Sequence, residues 1–223
     1  MATADKLNKL IETKANIKEA IKAKGVTVND SDTFASYPSK ITSINGGGDK
    51  IILPESTKFA KSDFTVFDVS IFDLSNVTKC HYMFYECYSI ESLDFSKSGI
   101  IRPVTTAHMF NSCARLKVLN LENIDNSVNK KYIGMFDDCS ALEDLRFNDL
   151  GHLDISDPGY QGIDISYSPK LTKESVLYLF ENAFDRAAAG YTNPFTITLH
   201  PDTKALLTEE EIAIATNKGF TVV

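Results

Sequence analysis

Five residues of zinc-ligand type, Cys80, His81, Cys87, His108 and Cys113, fall within one stretch of this chain. Thiolate and imidazole are the donors of tetrahedral zinc sites, so a metal centre is the first chemistry to weigh. Spacing argues against it, because no Cys-x-x-Cys knuckle occurs anywhere. Cys87 and Cys113 instead share a register with Cys139, each following a Met-Phe pair: Met83-Phe84-x-x-Cys87, Met109-Phe110-x-x-Cys113 and Met135-Phe136-x-x-Cys139. Cysteines that keep step with Met and Phe are expected to point into a core as small hydrophobes, reduced and unreactive. Neither a metal nor a cofactor is expected.

Enzymatic chemistry fares no better. The histidines His81, His108, His152 and His200 sit in no His-Glu-x-x-His motif. No Gly-x-Ser-x-Gly surrounds a serine, and no Gly-x-x-x-x-Gly-Lys loop is present for phosphate. Asp154, Asp157 and Asp164 lie in a Pro/Gly-rich loop but lack the spacing of a calcium-binding EF-hand loop. The expectation is a protein without catalytic residues. Tyrosines are the more informative polar-aromatic group. Tyr82, Tyr85 and Tyr88 recur at three-residue intervals beside the core positions of one unit, and exposed tyrosines supply contact area at low entropic cost. They are the candidate binding surface.

The elements that must position these residues follow from the repeat. The Met-Phe-x-x-Cys marker returns every 26 residues, and so do Ile90, Leu116 and Leu142, then Leu93, Leu119 and Leu145, then Phe95, Leu121 and Phe147. Counting back from Leu93 places an earlier strand at Phe67-Asp68-Val69. A fixed step of this size implies a solenoid in which each unit buries its apolar face against its neighbours. Each unit reads as a short helix or turn carrying the marker, then a strand carrying Leu-x-Phe/Leu, an α/β class. After residue 147 the period breaks. A strand at 163–166, a helix at about 173–189, a strand at 195–199, a helix capped by Thr208 with Glu211 in a capping box, and a strand at 220–223 are expected as atypical closing units.

Ahead of the repeats, residues 5–24 read as a helix with Leu7, Leu10, Ile11, Ile17 and Ile21 as its apolar stripe, ending before Gly25. A shorter helical segment follows with Phe34, Tyr37, Ile41 and Ile44 on one side. The reading divides the chain into a helical module at 1–45, a Gly-rich linker at 46–50 and the repeat body at 51–223. A module so short needs a staple or a partner. Its stripe, with Phe34 and Tyr37, is the candidate oligomerisation or attachment surface, and deleting residues 1–45 is expected to leave a folded monomeric repeat body.

Charge narrows the partners. The net charge is −7. Residues 1–50 hold 8 Lys/Arg against 6 Asp/Glu, and residues 51–223 hold 15 against 24. An acidic body is the wrong surface for a nucleic-acid backbone or an anionic membrane. No apolar run is long enough to span a bilayer, and the N-terminus lacks the apolar core of a signal peptide.

The phrase Met-Phe-x-x-Cys-x-x-Leu-x-x-Leu-x-Leu resembles the BspA-like leucine-rich repeat. Ser75-Asn76-Val77-Thr78 followed by Tyr82-Met83-Phe84 matches the way units of that family often read, and later copies degenerate. The resemblance covers roughly residues 65–223. Ser168-Pro169-Lys170-Leu171-Thr172-Lys173-Glu174-Ser175 and Ile214-Ala215-Thr216-Asn217-Lys218-Gly219-Phe220-Thr221 are similar to the ends of repeat proteins from gut Bacteroides bacteria and their phages. Lys9-Leu10-Ile11-Glu12-Thr13-Lys14-Ala15-Asn16-Ile17-Lys18 resembles a helical module that opens phage virion appendage proteins. The resemblance implies a leucine-rich-repeat solenoid acting in adhesion and protein recognition, with no catalytic residues to transfer. It implies a bacteriophage virion appendage of head- or tail-fibre type. Its partners would be further copies of itself, other virion proteins, and a host surface protein or glycan. A bacterial surface or extracellular adhesin is the alternative, which the missing signal peptide disfavours.

Overall fold

The computed structural model describes residues 3–23, 26–29, 31–32, 50–152 and 162–223, with residues 3–10 described by their backbone alone. The segment around Phe34 and Tyr37, the Gly46–Gly48 stretch and the loop with Asp154 and Asp157 lie outside the described residues.

Leucines two apart along an extended backbone share one side, and the chain uses this to stack its units. β3 (Ser92–Asp94), β4 (Val118–Asn120) and β5 (Asp144–Arg146) form a parallel sheet in which Leu93 pairs with Leu119 and Leu119 with Leu145. The 26-residue step of the sequence is thus the register of the sheet. A two-stranded parallel sheet precedes it, β1 (Ile51–Ile52) with β2 (Phe72–Asp73). A third parallel sheet closes the chain, β6 (Gly162–Ile165), β7 (Thr196–Leu199) and β8 (Thr221–Val222) in that order.

The Met-Phe-x-x-Cys segments are turns, not helices. Their backbone amides reach across to the next unit instead of bonding within a helix. Phe84 N–H donates to Met109 O at 2.8 Å and Phe110 N–H to Met135 O at 3.1 Å. Tyr82 N–H donates to Ala107 O, and His108 N–H to Ile133 O. Two positions per unit adopt left-handed backbone: Tyr82, His108 and Gly134 at φ 59, 54 and 58°, and Glu86, Ser112 and Asp138 at 57, 63 and 57°. Such conformations cost non-glycine residues energy. Here the inter-unit hydrogen bonds hold them in place.

The core is a column of rings. Phe59, Phe84, Phe110 and Phe136 stack along the repeat with centroids 5.3, 5.9 and 6.0 Å apart. Phe95 and Phe147 pack edge-on against the column from the strand side. Phe59 shows that the register starts earlier than the sequence suggests. Its N–H donates to Met83 O as Phe84 does to Met109 O, so Phe59-x-x-Ser62 is a first copy of the marker, 25 residues before Phe84-x-x-Cys87.

The strand expected at Phe67-Asp68-Val69 lies instead at Phe72–Asp73, and Val69–Ile71 is a 3-10 turn capped by Asp68. This first full unit is shorter than its successors, so counting back by 26 overshoots. Phe67 still enters the core, against Phe59, Phe72 and Phe84.

At the far end, Thr172 caps a helix, α2 (Lys173–Asn182), that stops well short of residue 189. Ala183 turns extended, and the Lys218 ammonium donates to the carbonyls of Phe180, Glu181 and Ala183 at 3.0, 2.6 and 3.1 Å. A cation there satisfies the orphan carbonyls and the negative end of the helix dipole. A one-turn helix, α3 (Pro201–Lys204), which the sequence reading did not anticipate, leads to α4 (Glu209–Asn217). The Thr208–Glu211 capping box at the start of α4 is present as read.

Arg186 is buried in this closing region. It donates to Gly151 O and Asn193 O, each at 2.6 Å, with its guanidinium over the rings of Tyr191, Phe195 and Phe220.

The N-terminal helix, α1 (Thr3–Ala23), does not stand clear of the repeats. Ile17 and Ile21, one turn apart, are buried in the same continuous apolar cluster as Ile51, Leu53 and the phenylalanine column.

Candidate recognition surface

The cysteines sort first. Cys80, Cys87, Cys113 and Cys139 are buried and unbridged. Three of them form a ladder in which each thiol donates to the carbonyl of the preceding phenylalanine: Cys87 to Phe59 at 3.3 Å, Cys113 to Phe84 at 3.1 Å, Cys139 to Phe110 at 3.2 Å. Serines stand at its two ends, Ser62 donating within its own turn to Phe59 O and Ser168 donating to Cys139 O of the preceding unit. The position therefore calls for a small side chain with one donor. Burial pushes the thiol of Cys80 up to about 12, Cys87 to about 11 and Cys139 to about 12, and raises Cys113 further. These groups stay protonated and pack. No cluster of three or more metal-ligating side chains occurs among the described residues.

The tyrosines lie on the surface of the marker turns and form one group. Tyr82 stacks on His108 of the next unit with centroids 4.9 Å apart and rings 12° from parallel, and Tyr85 meets Tyr82 edge-on at 5.2 Å. Lys58 lies over Tyr82 at 5.2 Å and Lys61 over Tyr85 at 6.0 Å. Cations favour the negative faces of such rings. Tyr88 is 54% exposed, the most open of the three.

Glu86 ties the group together. It pairs with Lys61 at 2.9 Å and lies beside Tyr85 and Tyr88. Burial opposes its ionisation, but the hydrogen bonds from Lys61, Tyr85 and Tyr88 outweigh it and hold the carboxyl below its ordinary range. The same carboxylate pushes Tyr85 up to about 12, through the hydrogen bond first and burial second. Tyr88 is also raised, by its surroundings and by the Glu86 charge.

The 26-residue register extends this surface to residues that the sequence reading did not place on it. The turn positions of Tyr82, Tyr85, Glu86 and Tyr88 are held by His108, Asn111, Ser112 and Ala114 in the next unit, and by Gly134, Asp137, Asp138 and Ser140 in the third. Asn111 bridges its neighbours, with Nδ2 3.4 Å from His108 Nδ1 and 3.3 Å from Asp137 Oδ2, and accepts from Ser112 Oγ at 2.8 Å. The His108 ring lies so close over Gly134 that a Cβ there would come within 2.3 Å of Nδ1. Burial raises the Asp137 carboxyl, and His108 partly opposes the shift. Counting the three tyrosines forward by 26 finds six of these residues, and counting Glu86 forward finds Ser112 and Asp138.

Of the residues expected to mediate oligomerisation or attachment, Ile17 and Ile21 are occupied inside the apolar cluster. Ile11 is 57% exposed. The side chains of Leu7, Leu10, Phe34 and Tyr37 are outside the described set. No helix among the described residues is long and apolar enough to cross a membrane.

The class that these observations define is a stack of parallel-register units with an apolar core and a polar-aromatic turn face. No family model matches the chain, and neither a curated protein nor a solved structure matches it.

Proposed function

We propose that this chain is a non-enzymatic recognition protein with the architecture of a BspA-like leucine-rich-repeat solenoid. It serves as a head- or tail-fibre-type appendage of a bacteriophage particle, associates with copies of itself and other virion proteins through its N-terminal segment, and turns its repeats toward a host surface molecule. The observation that carries this reading is the distribution of chemistry. Every cysteine and every phenylalanine of the repeat column is sealed in the core, while the polar and aromatic groups that remain available line the turns as a stacked surface. A packed stack with a patterned exterior suits binding, since each unit adds area without adding a pocket.

The burial of Ile17 and Ile21 shapes the test. Removing the N-terminal helix would open the core, so a point variant is the cleaner probe. The solution mass of the full-length protein is measured by light scattering beside Ile11→Glu, which alters an exposed position of α1. A defined oligomer that dissociates in the variant supports attachment through this helix. A monomer in both cases removes the multivalent-appendage reading. Detection of the protein on host cells in the absence of phage particles would support the adhesin alternative.

A further inference from the structure

The turn face is not uniform along the stack. Its four columns run Tyr82, His108, Gly134; Tyr85, Asn111, Asp137; Glu86, Ser112, Asp138; and Tyr88, Ala114, Ser140. In each the side chain becomes small or short and polar in passing from the first unit to the third. The first unit is a raised aromatic wall, and the second and third are a low shelf bearing a carboxamide, hydroxyls and carboxylates.

Tyr88 ends the wall. It lies close enough to Glu86 to feel that carboxylate's charge, and Glu86 pairs with Lys61. Among the described residues its ring stands against no other ring, unlike Tyr82 and Tyr85. The next residue in its column is Ala114, whose side chain is one methyl. Asp138 lies near enough to Tyr88 for its charge to act on the phenol, and it is exposed.

We infer that this step binds a neutral saccharide, one pyranose ring lying against Tyr88 above Ala114, with Asp138, Ser140 and Ser112 taking its hydroxyls. The C–H bonds of a pyranose face carry the partial positive charge that the negative face of an aromatic ring attracts. Carboxylates accept strong hydrogen bonds from vicinal hydroxyls. Size points the same way. Adjacent units stand about 4.8 Å apart, so the two-unit shelf spans about 10 Å, room for one or two sugar rings. A stable protein interface needs about 800 Å² per partner and a buried apolar centre, and the shelf offers no large aliphatic anchor. Charge selects against acidic sugars, because the shelf positions bring Asp137 and Asp138 but no lysine or arginine, and Lys61 is engaged by Glu86.

This inference rests on the recognition reading, and the test separates the two. Full-length protein is applied to an array of neutral, amino and sialylated oligosaccharides, and the strongest neutral binder is titrated by calorimetry. Wild type binds the neutral set, while Tyr88→Ala and Asp138→Asn each weaken the titrated affinity by about tenfold. Glu181→Gln, exposed on α2, leaves it unchanged. Tyr88 is largely exposed, so the variant is expected to keep the wild-type thermal midpoint. Should Tyr88→Ala unfold instead, Ala114→Trp fills the shelf from a surface position and abolishes binding. Absence of neutral-saccharide binding, or binding that none of the shelf variants alters, overturns the inference. Wild type and Tyr88→Ala are also applied to gut Bacteroides cells before and after periodate oxidation of surface diols. Equal attachment of both proteins to both preparations leaves recognition standing and removes the saccharide. Attachment to no cells removes host recognition itself.

Discussion

Replacing Phe110 by alanine tests the stack at its centre. Phe110 has no exposed surface. Its ring stacks on Phe84 and Phe136 at 5.9 and 6.0 Å and meets Phe95 edge-on at 6.2 Å. Truncating a buried phenylalanine to alanine costs about 3–5 kcal/mol through lost transfer energy and the cavity left behind. Aromatic pairs add about 0.5–1.5 kcal/mol each beyond area, and three are lost, which places Phe110→Ala toward the top of that range. A neighbouring unit cannot close the gap easily, because both sides are pinned by inter-unit backbone bonds from Phe84 N–H and Phe110 N–H. A domain stable by about 5–15 kcal/mol would lose a large share of its margin. The chain has no tryptophan, so urea unfolding is followed by tyrosine fluorescence and far-ultraviolet circular dichroism together. The expected result is a lower midpoint at unchanged slope, with Phe84→Ala coupled to it by about 1 kcal/mol in a double-mutant cycle. A loss below about 1 kcal/mol, or strict additivity of the two variants, would refute the ring column as the spine of the fold.

Three further outcomes follow from the same geometry. Cys113→Ser keeps a donor for Phe84 O and should cost about 1 kcal/mol, whereas Cys113→Val adds volume without a donor and should cost about 1–3 kcal/mol; thermal melts rank the two, and a more stable valine variant would remove the ladder argument. Lys218→Met strips three carbonyls of the α2 terminus of their cation and should cost about 1–3 kcal/mol, with hydrogen exchange rising first in residues 180–183; uniform exchange across the chain would contradict it. Glu86→Gln should bring the ionisation of Tyr85 down from about 12 toward the ordinary 10, read as phenolate absorbance on alkaline titration. The wild-type carboxyl is depressed in the folded state, so its stabilisation is complete above the unfolded value of 4.5 and is lost as pH falls through the folded one. The variant should therefore lose less stability than wild type below pH 4.5, and an equal loss of both proteins in acid melts would show that Glu86 is not held as described.

What the sequence revealed and what it hid have one physical origin. Side chains that must recur because every unit buries them recur in the text, so Met-Phe-x-x-Cys and Leu93, Leu119 and Leu145 could be read directly as the register of the sheet. The first copy escaped because the stack constrains only what it buries. Phe59 keeps the ring and Ser62 keeps a small donor, but at the outer unit Lys58 stands where methionine stands in the others, and the step shortens by one residue. The same reasoning applies to the turn face. Its positions are set by backbone that must adopt φ near +60° and bond across units, which leaves the side chains free to vary. Tyr82, His108 and Gly134 therefore occupy one column with no resemblance to one another, and no search for a conserved pattern would align them. Arg186 was beyond any periodic reading, because the carbonyls it satisfies, Gly151 and Asn193, are fixed by the closing loops and not by the repeat. The marker turns illustrate the point most sharply. A Met-Phe-x-x-Cys spacing fits one face of a helix, yet stacked neighbours offer each amide a carbonyl in the adjacent unit. Once that ladder forms, intra-unit helical bonds would leave the neighbours' carbonyls unpaired, so the turn is the conformation that satisfies both units at once.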